Sequence, residues 1–279
     1  MGLRSAPLRP NRTDIPLPPF PPGLPWVGPE PPAAERLTAK GPLLVIFFEA
    51  GELNGVQALE HVEAWAERYA DAGLTTVGVH TPRSDLARSP GAFTAAVERL
   101  GLGFPVVSDA GYHVWHAYGT KGWPSVFLWG MGGKLKWFHF GIGGLAETEE
   151  AIRVELRGPD AERELPERVV QPAPEEQIEV VKPSDEVFPG GSHDSFWVPE
   201  QPGEPLEVEY AGAGAWAALD GTGTVSVSAD EGPSHEVELN GPGVYELSAH
   251  GSHGVHDVRL DLNGAIRVWS VSFAAGPSA

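Results

Sequence analysis

Residues 41–69 read GPLLVIFFEAGELNGVQALEHVEAWAERY, and what this stretch becomes decides the fold. Leu43 to Phe48 is an unbroken apolar run, the pattern of a strand buried on both faces. A short polar turn follows, and then Val56, Leu59, Val62, Trp65, Ala66 and Tyr69 recur at helical spacing. A strand that feeds a helix in this way puts Glu49, Glu52 and Asn54 where open α/β sheets carry their sites. Glu52 also stands at the helix start, where free backbone amides favour negative charge.

Leu74 to His80 (LTTVGVH) gives a second strand, and the loop TPRSDLARSP leads to an amphipathic helix at about 91–100. The βαβ unit is complete, so the sheet is parallel here and His80 lies at the same end as Glu49 and Glu52. Phe104 to Ser108 reads as a third strand and Ala110 to Tyr118 as a short helix stopped by Gly119. Ser125 to Trp129 and Lys134 to Phe140 form an antiparallel pair about a Gly-Gly turn, and a helix from about Leu145 to Arg157 closes the domain.

Four regions result. Residues 1–34 hold eleven prolines, too many for a helix or central strand, and form an extended arm that Trp26 is expected to anchor. Residues 35–157 are the α/β domain. Residues 158–205 form an acidic, Pro-rich linker, in which Glu175 to Val181 has the composition of an edge strand. From Leu206 to 279 the segments LEVEYA, GAWAAL, GTVSVSA, HEVEL, GVYELSA, HDVRLDL and AIRVWSVSFA alternate between Gly, Pro, Asn and Asp turns, which predicts an all-β sandwich.

The 279 residues include no cysteine, so disulfides, thiolate metal sites, dithiol exchange and peroxidatic thiol chemistry are excluded within the chain. Net charge is −19, and it is uneven. Residues 1–157 carry 14 Lys+Arg against 16 Asp+Glu, and residues 158–279 carry 5 against 22. Such a surface repels phosphate backbones and anionic headgroups, which argues against nucleic-acid and membrane roles. With no apolar leader and no run of eighteen apolar residues, the sequence reads as a soluble, cytoplasmic chain.

Aligned on Phe47-Phe48 and the following helix, this stretch resembles the active site of thioredoxin-like proteins of the TlpA, NHL-repeat and DipZ type. PGLPW at 22–26 and DAGYHVWHAYGTKGWPSVFLWGMGGKL at 109–135 resemble the same family. The resemblance implies a thioredoxin fold with a cis proline at Trp123-Pro124. It also implies that two cysteines, separated by two residues, stand in the family where Glu52 and Gly55 stand here. In the family the residue before that proline offers its backbone to an extended peptide; Trp123 is bulky for that task and is expected to lie over the turn. Trp123 or Trp26 would then fill the place beside Gly55. PSDEVFPG at 183–190 and the segment 243–273 resemble the domain that follows the thioredoxin in DipZ-type proteins, a jelly roll similar to carbohydrate-binding modules.

The function these readings favour is a redox-inactive thioredoxin-like binding or scaffold module. It would engage an unknown protein or peptide, or a glycan through the sandwich, without a cofactor. The rival is an enzyme of another class using Glu49, Glu52 or His80 as acid and base. Other polar groups read more simply as structural. Asn54 is expected to cap the helix. His113 and His116 share a helix face without a third ligand. His250, His253 and His256, followed by Asp257, form the densest imidazole cluster and the weak candidate for Zn²⁺ or Ni²⁺, although a hairpin leaning on polar residues explains it. Asp220, Asp230 and Glu231 stand at turns open to a structural Ca²⁺. Trp197, Trp216 and Trp269 are either core or a sugar-stacking platform.

Overall fold

The computed structural model describes residues 15–29, 36–171, 180–230 and 232–278. Residues 1–14 and 30–34 of the arm, residues 175–179 of the expected edge strand, and Glu231 lie outside the described residues.

The first strands and helices follow the expected order: β1 (Trp26–Val27), β2 (Leu43–Phe48), α1 (Leu53–Tyr69), β3 (Thr75–His80), α2 (Pro90–Leu100), β4 (Val106–Ser108) and α3 (His113–Tyr118). Then come β5 (Ser125–Trp129), β6 (Leu135–Phe140) and α4 (Leu145–Arg157). They make one six-stranded sheet in the order β1-β4-β3-β2-β5-β6. β2, β3 and β4 run parallel, whereas β5 pairs antiparallel with β2 and β6 antiparallel with β5. The Trp123–Pro124 bond that leads into β5 is cis. This is a thioredoxin-like fold.

Every residue of β2 is buried, as its unbroken apolar run predicts. Leu43, Val45 and Phe47 point to one face and share a core with Val77, Val79, Val107, Phe127 and Trp129, beneath Val114 and Tyr118 of α3. The described part of the arm completes this sheet at two places. Trp26 and Val27 pair with Val107 and Val106, while the Leu17 N–H donates to the Gly133 carbonyl and the Leu135 N–H donates to the Ile15 carbonyl. Trp26 packs edge-on against Phe20 above the same core, so the expected anchor is present.

The rest is mainly antiparallel strand: β7 (Val180–Val181), β8 (Leu206–Ala229), β9 (His235–Glu238), β10 (Gly243–Phe273) and β11 (Gly276–Pro277). The seven short segments read from the sequence are here largely two long strands that turn corners. Residues 206–219 of β8 pair with the first part of β10, and residues 215–229 pair with its second part. Corners without breaks require glycine. Gly221, Gly223 and Gly264 have φ of +108°, +139° and +132°, and a Cβ at any of them would run into the backbone carbonyl of the facing strand. Val208, Tyr210, Leu219, Val225, Leu247, Leu260, Val268 and Val271 fill the core inside. The segment before β8 is not a bare linker, because Val187 bridges to Val271 and Trp197 to Val268 through paired backbone bonds.

By compactness the chain divides into two units. One gathers the described residues within 1–49, 57–81 and 101–173; the other gathers those within 50–56, 82–100 and 174–279. The polar turn at 50–56 and α2 thus belong to the same unit as the C-terminal strands.

Candidate functional site: the cysteine-free turn

Glu52 precedes the first residue of α1 and serves as its cap. Its Oε1 accepts from the Asn54 backbone N–H at 3.2 Å and from Asn54 Nδ2 at 2.9 Å, and its Oε2 accepts from the Gly55 N–H at 2.7 Å. Asn54, expected to be the cap, lies one residue inside the helix and supports the carboxylate instead. An α-helix leaves its first amides without partners, and an anion at this point satisfies them and complements the helix dipole. Burial raises the Glu52 carboxyl above the usual carboxylate range, and the donated bonds from Gly55 and Asn54 oppose that rise. Both oxygens are occupied by the protein.

In the other unit, Glu49 follows β2 at 1 % exposure, and His80 ends β3 fully buried. Burial pushes the His80 imidazole down to about 3, so the ring is neutral across the physiological range. The Phe48 ring lies 5.5 Å from it, edge-on. Trp123 is half-buried, its ring 4.7 Å from Trp115. Asp109, the aspartate of the quoted motif, caps α3 by accepting the Val114 and Trp115 N–H groups at 3.1 and 2.8 Å.

Residues of the turn's own unit enclose it. Ala50, Leu86, Ala87, Ala96, Ala218 and Trp269 form one buried cluster, so the side of the turn is closed by the loop after β3, by α2 and by the C-terminal strands. Trp26 pairs with β4 and packs against Phe20, and within the turn's own unit the indole that packs with Ala50 is Trp269. Arg83, which follows β3, forms a bidentate ion pair with Glu186 at 2.7 and 2.8 Å and lies over the Phe188 ring. Ser272 Oγ donates to the same carboxylate at 3.1 Å. Arg99 of α2 stacks on Tyr245 and donates to the carbonyls of Pro242 and Val244. Glu186 and Phe188 belong to the PSDEVFPG motif, but nothing local in sequence pairs that motif with Arg83.

The remaining candidates separate. His113 and His116 are exposed and gather no third ligand among the described residues. Asp220, a candidate for Ca²⁺, accepts a bidentate pair from the Arg267 guanidinium. Asp230 meets His256 and His250, whereas His253 and Asp257 lend no side chain to that group. Trp269 is buried at 5 % and Trp197 packs on the β core, so these indoles do not form a common platform. An open groove of about 610 Å³ instead lies beside Phe196, Val198, Gln201, Leu262, Ile266 and Arg267, with Arg267 over the Phe196 ring.

No family model matches the chain. Protein DipZ of Mycobacterium tuberculosis is 32% identical over 111 residues, which is 40% of this chain and 16% of DipZ. NHL repeat-containing protein 2 of Bos taurus is 29% identical over 132 residues, 47% of this chain and 18% of that protein. The chain therefore spans under a fifth of the length of these curated relatives. Among solved structures, a thioredoxin-like protein in its oxidised form has 24% identity and a TM-score of 0.43, covering 47% of this chain and 87% of that one. The matched stretch is thus similar to part of DipZ, and the chain holds no cysteine. Thiol-disulfide chemistry is lost with the two residues that would perform it, since Glu52 cannot form a mixed disulfide. No helix among the described residues is long and apolar enough to cross a membrane.

Proposed function

We propose that the thioredoxin-like region is retained as a scaffold, with the turn that is reactive in the family rebuilt as a structural joint. The observation that carries this reading is the occupancy of Glu52. Both its oxygens bond the first amides of α1, and the adjoining Ala50 is buried under Trp269. A carboxylate acting as acid or base must give a substrate the electron density that here holds the first amides of α1, so proton transfer would compete with capping the helix. The partner of the scaffold is a protein or peptide. Purified protein in an insulin-reduction assay and in a hydroperoxide assay is expected to show no turnover above buffer; turnover in either would overturn the reading. Affinity capture from the source cell, followed by direct binding to the captured protein, identifies the partner.

A second reading is favoured by the groove beside Phe196 and Arg267. An exposed ring next to a fixed guanidinium suits a sugar hydroxyl and its apolar face, which would make the β region glycan-binding. A glycan array in which Phe196→Ala and the parent chain give the same empty result would remove it.

A further inference from the structure

We propose that Asp230, His250 and His256 form a site for one divalent transition-metal ion of the zinc class, which clips the turn after β8 to the β10 strand. One ligand atom from each of the three lies within 4.8 Å of the others. Two imidazoles and a carboxylate are the donor set that borderline ions such as Zn²⁺ take, with water in the remaining position.

The carboxylate is fixed in advance. Asp230 sits at φ +52°, its N–H donates to the Asp257 carbonyl at 2.9 Å, and its Oδ1 accepts the Asp257 N–H at 3.1 Å. Its Oδ2 lies 2.9 Å from His256 Nδ1. The ligand atoms of a tetrahedral zinc site are about 3.3 Å apart, given bonds of about 2.0 to 2.1 Å. The ion would thus replace the proton that Asp230 and His256 share, with almost no movement of either.

His250 is the ligand that must move. Its ring stacks on His256 at 3.6 Å and 3° between planes, and two parallel imidazoles cannot aim their lone pairs at one ion until they splay. The backbone permits this. The pairing of β10 with β8 skips from Ala249 to Gly254, so His250 has no ladder partner on β8 to lose, and the bulged segment is held instead by the bridge of His253 to Ser278. Gly251 in that segment has open space where a side chain would stand. Among the described residues His256 Nε2 has no hydrogen-bond partner, so tilting its ring breaks no bond to them on the far side. Tyr210 Oη, 3.0 Å from His250 Nε2, orients the second ring as outer partners of metal-binding histidines do. The surplus of acid over base in residues 158–279 attracts the cation.

Zn²⁺ alone, titrated calorimetrically into the full chain, is expected to bind at one equivalent. His256→Asn, His250→Gln and Asp230→Asn should each weaken binding about tenfold or more. The double change of His113→Gln with His116→Gln should leave it unchanged. Equal affinity in the parent chain and His256→Asn, or binding that follows the His113 and His116 pair, overturns the proposal. Should a variant fail to fold, the ring resonances of the parent chain decide: Zn²⁺ must shift two of the ten histidines and spare the rest.

Discussion

Glu149 is a carboxylate without solvent exposure whose neighbours nevertheless keep it ionised. Burial alone would raise it. Bonds from Tyr69 Oη at 2.5 Å and from the Val170 and Val169 N–H groups at 2.7 and 2.8 Å outweigh that and hold it below the usual carboxylate range. A carboxyl lowered in the folded state stabilises the fold above its unfolded value of about 4.5, and that contribution is lost as pH falls through the folded value. Glu149→Gln should therefore lower stability at pH 7 and flatten the acid limb of a stability-against-pH curve measured by urea unfolding; an unaltered acid limb would refute the assignment. Trp123 gives a second test at this scale. Half-buried against Trp115, it should cost about 1 to 2 kcal/mol on truncation to alanine. Trp129, 1 % exposed, should cost about 3 to 5 kcal/mol. A loss at Trp123 as large as that at Trp129 would mean it supports more of the fold than its contacts show.

Among elements, the pairing of Arg83 with Glu186 joins the loop after β3 to the segment before β8. The two side chains are 20% and 23% exposed, between the exposed pairs that contribute little and the buried ones whose rupture is costly. Alanine at either position should destabilise by about 1 to 2 kcal/mol, and a double-mutant cycle should return a coupling of about 1 kcal/mol or more. Lysine at 83 should not restore it, because the bidentate fork is lost. Additive single effects would show the pair to be incidental. Elements of the first half were legible because each carries its own periodicity: six apolar residues for β2, helical spacing for α1, a Gly-Gly turn between β5 and β6. The long strands were misread as short ones because Gly221, Gly223 and Gly264, ordinarily turn signals, here let paired backbones approach closely. The Arg83–Glu186 pair and the meeting of Asp230 with His256 were illegible for another reason. Contacts between residues distant in sequence leave no local period to read.

For the whole molecule, the buried cluster of Ala50, Leu86, Ala87, Ala96, Ala218 and Trp269 sets an order of events during synthesis. Ala50 emerges from the ribosome early and Trp269 late; at about 5–20 residues per second the interval is some tens of seconds. Through that interval the loop after β3 and α2 present an apolar face whose partner has not been made. Contacts of such long sequence separation also close slowly, since loop entropy must be overcome before they reward it. A nascent chain of this design thus spends its early life with a sticky surface that only its own later strands can cover, which makes it a natural client for chaperones that shield apolar patches on the growing polypeptide.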